Sequence, residues 1–169
     1  MNTENKEPLG VQKDNLVVVI MGSESDEKIA DEVSLTLEKL GVKSVQRVGS
    51  AHKTSEHVVS IIAEYQEQTE KDIVFIALAG RQNALAPFAD AHTQLPVISL
   101  VDREDVMAGV RVPSGIGAPV TIYAEAAAIA AAKIIALNNP EVAGKILIYQ
   151  RENRQKIVDA DARIRSKNT

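Results

Sequence analysis

The sequence predicts an α/β fold of three layers, α/β/α, built on an open parallel sheet. Three observations predict it. Short apolar runs of strand length alternate with segments of helical period, at least three times in succession. Two of the runs, LVVVIM (Leu16 to Met21) and IVFIALA (Ile73 to Ala79), are continuous and largely β-branched or aliphatic, as expected of strands buried on both faces. Polar loops bearing glycine or serine follow the strands directly.

Residues 1–14 are polar, contain Pro8 and Gly10, and read as a loose leader before a single domain over 15–169. After Leu16 to Met21 comes GSESD, then from Asp26 a helical pattern through Val33, Leu37 and Leu40, stopped by Gly41. Ser44 to Val48 alternates and reads as a second strand. Ser50 to Lys53 forms a polar turn ahead of a helix carrying Val58, Ile61, Ile62 and Tyr65. Ile73 to Ala79 is the third strand, followed by GRQN, a short helix from Ala84, and a fourth strand from Val97 to Leu100. This β-α-β-α-β-α-β order implies right-handed crossovers and a flavodoxin-like or Rossmann-like sheet.

The last third differs. A polar loop and PSGIG lead to an alanine-rich helix, roughly Ala124 to Leu137, then NNP and a long charged helix. Alanine adds little bulk but lets helices approach closely, so close packing is the expected use of this helix, with contact between subunits as one form of it. Val142, Ile146, Ile157 and Ile164 make a broken apolar stripe on the final helix, which suggests packing of the C-terminal helices in an oligomer.

Composition narrows the function. The 169 residues are 45% hydrophobic but only 3% aromatic, without Trp, so Val, Ile, Leu and Ala must build the core. The net charge is −4 and no basic block occurs, which argues against nucleic acid as a partner. Without Cys there is no disulfide, thiolate metal site or cysteine nucleophile. The histidines, His52, His57 and His92, are not spaced as metal ligands, so neither a metal nor a cofactor is expected. No run reaches the length of a membrane span, and a cytoplasmic location is the expectation.

GSESD, SAHK and AGRQN each follow a predicted strand and so emerge on one edge of a parallel sheet, where such sheets bind ligands. In GSESD, Gly22 permits close backbone approach, Ser23 and Ser25 offer hydroxyls, and the next helix offers free N–H groups to a phosphate. Asp26 suits ribose hydroxyls. The same residues would also serve as a helix N-cap and a first-turn acid. GSESD is neither a Walker A loop nor G-x-G-x-x-G. His52, beside Ser50, Ala51 and Lys53 at a strand-to-helix turn, is placed to move a proton near neutral pH; an idle loop histidine is the alternative. Arg81 suits a phosphate or carboxylate, and Asn83 reads as a ligand or a turn residue. Ser114, Gly115 and Gly117 make a flexible turn that could close over a ligand.

Taken together, MGSESD, SAHKTSE, AGRQNALAPFA, LPVISL and VPSGIG, in this order, resemble the aminoimidazole ribonucleotide carboxylase family of purine biosynthesis, from about Leu16 to the final helix. One branch of that family moves a carboxylate between two positions of the aminoimidazole; the other carboxylates the ring carbon directly with carbon dioxide. Lys53, Arg81 and Asn83 match the direct branch, class II. The chain differs from the family pattern at Gln82, at Ala86 and Pro87, and over SLVDREDVMAGVRV, where Arg111 is the polar remnant.

The resemblance implies reversible, ATP-independent carboxylation of 5-aminoimidazole ribonucleotide. Its partners would be a small ribonucleotide and carbon dioxide, and its assembly a homo-octamer. It implies that Gly22, Ser23, Ser25 and Asp26 hold phosphate and ribose, and that Ser50 and Ala51 help orient the ligand. His52 would be the general acid/base, and Lys53 and Arg81 would neutralise phosphate or carboxylate. Gly80 would leave room for the gas, and Asn83 would complete the substrate-binding set. The mutase and a ribonucleotide-binding relative without turnover stand as alternatives.

Overall fold

The computed structural model describes residues 13–80 and 83–167. The element order is β1 (Asp14–Met21), α1 (Glu27–Lys39), β2 (Ser44–Val48), α2 (Ser55–Gln66), β3 (Lys71–Ala79), α3 (Leu85–Asp90), β4 (Val97–Val101), α4 (Val106–Val110), β5 (Val120–Thr121), α5 (Ala124–Ile135) and α6 (Pro140–Arg165). All five strands are parallel, in the order β2-β1-β3-β4-β5. The predicted open α/β/α sheet is the fold observed. Most of the expected leader lies outside the described residues; Lys13, its next-to-last residue, donates from Nζ to the Thr69 carbonyl at 2.8 Å.

The continuous apolar runs serve both faces of the sheet. Because successive strand residues point to opposite sides, Val17, Val19 and Met21 of β1 join one core with α1, α5 and the start of α6. Leu16, Val18 and Ile20 join a second core with α2 and α3. β3 divides the same way, with Val74, Ile76 and Leu78 on one side and Ile73, Phe75 and Ala77 on the other. The Tyr65 and Phe75 rings meet edge to face, centroids 6.4 Å apart and planes at 79°.

Helix ends follow the residues. Gly41 adopts φ +72° just past α1, a left-handed stop that glycine takes without penalty. Asn139 caps α6, its Oδ1 accepting from the Val142 amide at 3.1 Å, with Pro140 in the first helical turn.

Three features add to the expectations. β5 and α4 were not foreseen. β5 has two residues, too few to show a period, and lies between PSGIG and the alanine-rich helix; α4 has five and lies in the stretch read as a polar loop. The alanine-rich helix is used within the chain. Ala127, Ala128, Ala131 and Ala132 are fully buried in the first core, because small side chains let α5 lie close upon α1 and the sheet. Finally, a 3-10 turn, Glu24–Asp26, precedes α1.

Candidate active site

In the order β2-β1-β3-β4 the connection leaving β1 runs through α1 to one edge and that leaving its neighbour β3 runs through α3 toward the other, on opposite faces, so the direction reverses between β1 and β3. Crevices form beyond the carboxyl ends of strands at such a point. Two hydrogen bonds pin the loops there. Gly22 N donates to Leu78 O at 2.9 Å, and Gly49 N donates to Met21 O at 2.8 Å. The loops after β1, β2 and β3 therefore start in fixed register.

They enclose a cleft of about 570 Å³ lined by Gly22, Ser23, Ser25 and Asp26, by Ser50, Ala51, His52 and Lys53, and by Ala79, Gly80, Ala84 and Leu85. That volume lies within the roughly 300–1,000 Å³ of small-molecule pockets.

Within GSESD the two serine readings coexist. Ser23, with extended backbone (φ −156°, ψ 152°), caps the 3-10 turn. Its Oγ accepts from Ser25 N at 3.4 Å and from Ser25 Oγ at 3.0 Å. Both side chains nonetheless line the cleft. Asp26 follows, half-buried, and burial pushes its carboxyl above the ordinary value, with hydrogen bonds from the Ser23–Ser25 turn opposing the shift. An incompletely hydrated carboxylate beside a polar cleft is a ready acceptor for hydroxyl groups. Gly22 is not crowded by protein: a Cβ there would meet Ala79 Cβ and Leu78 O at an ordinary 3.6 Å.

The loop carrying His52 is closed by its own residues. Ser50 N donates to Thr54 Oγ1 at 3.0 Å, Thr54 Oγ1 donates to Ser50 O at 3.3 Å, and Thr54 N donates to Ser50 O at 2.8 Å. Lys53 N donates to Ser50 Oγ at 3.3 Å. His52 and Lys53 thus project from a tight turn, both solvent-exposed at the mouth of the cleft.

Gly49, which the sequence reading passed over, is what lets α2 approach. A Cβ there would lie 2.9 Å from Val58 Cγ2 and 3.3 Å from Ile61 Cδ1. Its only sequence signal is its place between the last residue of a strand and the SAHK turn.

On the third loop, Gly80 is exposed and a Cβ there would meet nothing within 4 Å. Arg81 and Gln82 lie outside the described residues. Asn83 is placed differently from the expected ligand set. It is buried, at φ +40°, and does not line the cleft; its amide faces Gly109 of α4. Asparagine tolerates this left-handed conformation better than most residues.

Ser114, Gly115 and Gly117 also lie away from the cleft lining. Asp90 at the end of α3 holds their turn, its Oδ2 accepting from Gly117 N at 2.8 Å. His57 and His92 are exposed and do not line the cleft. His92 Nδ1 lies 2.7 Å from Phe88 O. Among the described residues, no helix is long and apolar enough to cross a membrane.

Comparison with known proteins follows the same outline. A phosphoribosylaminoimidazole carboxylase of Archaeoglobus fulgidus is 40% identical over 154 residues, covering 88% of this chain and 84% of that protein. One from Treponema denticola is 36% identical over 156 residues, covering 89% and 98%. The crystal structure of Treponema denticola PurE superposes with a TM-score of 0.84 at 35% identity, covering 88% of this chain and 98% of that one. The family model described as AIR carboxylase matches residues 16–156, and the chain belongs to that family.

Proposed function

We propose that the protein catalyses the reversible, ATP-independent carboxylation of 5-aminoimidazole ribonucleotide by carbon dioxide, giving 4-carboxy-5-aminoimidazole ribonucleotide in purine biosynthesis. One observation carries this reading. In a member of the AIR carboxylase family, an exposed histidine on a braced turn shares one cleft with a serine-rich helix start and an aspartate.

The phosphate is held by the side chains of Ser23 and Ser25, and the ribose by Asp26. Ser50, whose Oγ already accepts from Lys53 N, keeps its hydroxyl hydrogen to give the ligand. Ala51 packs beside it. Lys53 at the cleft mouth, and Arg81 by resemblance, neutralise negative charge. The aminoimidazole is an enamine whose ring carbon is already nucleophilic. It attacks carbon dioxide, a carbon–carbon bond forms, and one C=O π pair moves to oxygen to make the carboxylate. The ring carbon then carries an extra hydrogen, and His52 removes it as a proton, restoring the aromatic ring. In reverse, His52 returns the proton to that carbon and carbon dioxide leaves. Ala79, Gly80 and Ala84 leave space for a small linear molecule. The chain's work is orientation, exclusion of water and transfer of one proton. Asn83 serves this set from behind the cleft wall.

The subunits assemble as a homo-oligomer, an octamer by family resemblance. Only Val142 and Ile146 of α6 are buried, whereas Ile157, Val158 and Ile164 are 73%, 60% and 57% exposed.

The test is ultraviolet detection of carboxylated product from aminoimidazole ribonucleotide in bicarbonate buffer without ATP. Enzyme-dependent product that falls by a factor of about 10²–10⁴ in His52→Asn is expected. Turnover only of the N-carboxylated substrate would replace this reading with the mutase.

A further inference from the structure

Three side-chain polar atoms are buried without a hydrogen-bond partner among the described residues. They are both polar atoms of the Asn83 carboxamide and the Ser99 hydroxyl. Each residue is only 1% exposed. The fold brings them to one place. Ser99 on β4 is in register with Ala77 of β3 and Val120 of β5, and directly paired side chains share a face. Val101, two residues on, points the same way. Over this face sits Gly109 of α4. A Cβ at Gly109 would lie 3.1 Å from Asn83 Nδ2, 3.1 Å from Val120 Cγ1 and 3.3 Å from Val101 Cγ1. Asn83 and Ser99 therefore occupy the same small region beneath α4. Space beside them comes from β3, which presents only Ala77 and Ala79 opposite Ser99 and Val101.

Buried polar groups are nearly always bonded to protein or to ordered water. A carboxamide and a hydroxyl from two different elements offer both donors and acceptors, and an internal water takes about two to four such partners.

We propose that one internal water bridges the Asn83 carboxamide and the Ser99 hydroxyl beneath α4, making Ser99 a positioning residue for the floor of the cleft. Asn83 stands in a left-handed turn next to Ala84, and Gly80 begins the same loop; both of those line the cleft. Fixing the Asn83 side chain fixes the backbone that presents them. Ser99 itself does not line the cleft, so its influence passes through this bridge. The kinetic consequence rests on the carboxylation reading, whereas the water does not.

The experiment is a high-resolution crystal structure of the wild-type protein, Ser99→Ala and Ser99→Thr, with kcat and KM for each. A water within about 3 Å of both the Asn83 amide and Ser99 Oγ is expected in the wild type. Ser99→Ala loses it and lowers kcat/KM about tenfold, mainly through KM, with little change in Tm. Ser99→Thr keeps the hydroxyl and restores both. An Asn83 amide bonded directly to protein groups, or wild-type kinetics in Ser99→Ala, overturns the proposal. If Ser99→Ala does not fold, the wild-type density and Ser99→Thr decide it. A wild-type protein with the water but without carboxylase activity would sink the carboxylation reading and leave the bridge standing.

Discussion

Thr54 holds Ser50 by both ends of its backbone: its Oγ1 accepts from Ser50 N at 3.0 Å and donates to Ser50 O at 3.3 Å. Between these two residues the chain has no choice but to turn, and His52 sits at the apex. Thr54→Val removes the hydroxyl while keeping the shape. It should destabilise the fold by about 1 kcal/mol, the usual net worth of a hydrogen bond. It should lower kcat/KM more than that stability loss implies, because His52 would be less well held. Thr54→Ser should recover most of both. Chemical denaturation and steady-state kinetics on the three proteins check this; equal kinetics in Thr54→Val and wild type would mean that the turn does not position His52.

Gly49→Ala tests the same loop from below. The new methyl would lie 2.9 Å from Val58 Cγ2 and 3.3 Å from Ile61 Cδ1, both on the buried face of α2. Neither neighbour is the free end of a flexible chain, so α2 must shift. Overpacking of this kind costs about 1–3 kcal/mol, and the shift carries the Ser50–Thr54 turn with it. Gly41→Ala is the control at the opposite edge of the sheet. There the flexible end of Lys145 can move aside and the penalty comes from φ +72°, about 1–2 kcal/mol. Stability should fall in both variants, and kcat/KM only in Gly49→Ala.

These two glycines show what could be read from the sequence. Gly41 ends an apolar helical pattern, and pattern alone predicts its role. Gly49 is dictated by Val58 and Ile61, nine and twelve residues later, so only the fold reveals it. The continuous runs at Leu16 and Ile73 announced strands with two covered faces; Ser44–Val48 is a strand with the bounds read from the sequence, although its residues are partly buried or exposed rather than alternately covered. The cleft lining was legible because three polar loops follow three parallel strands. Asn83 was not, since a polar residue between cleft-lining neighbours looks the same in sequence whether it faces the ligand or the core. The alanines of α5 likewise signalled close packing without saying against what.

Asp26 offers a prediction in which stability and function separate. Burial raises its carboxyl pKa above 3.8 more than the Ser23 and Ser25 hydrogen bonds lower it. A raised folded-state pKa means that the native protein favours the protonated acid more than the unfolded chain does. This group's contribution is therefore most favourable at low pH. It is lost as pH rises from the unfolded value through the raised folded one. Asp26→Asn, permanently neutral, should leave the free protein's Tm at pH 7 unchanged or slightly higher, within about 0.5 kcal/mol. Its stability should also vary less than that of the wild type as pH rises through the carboxylate range. If Asp26 accepts ribose hydroxyls, KM should rise at least tenfold, on the order of the loss of a charged hydrogen bond. A fall in Tm at pH 7 would show that the carboxylate is structural.

The final helix is where assembly should be tested. α6 runs for 26 residues, about 39 Å at 1.5 Å per residue, yet its buried residues, Val142 and Ile146, lie in its first two turns. From Arg151 to Arg165 no residue is buried. A helical segment of that length is marginal in water without packing, and Ile157 and Ile164, seven residues apart, lie on one side of it. A second copy covering that side would supply the missing contact. Ile157→Glu combined with Ile164→Glu should then shift the protein to smaller species by light scattering. The α/β domain should unfold with nearly its original denaturant slope, since neither side chain touches the two cores. An unchanged mass in the double variant would place the interface elsewhere, and a monomeric wild type would remove the oligomer from the proposal altogether.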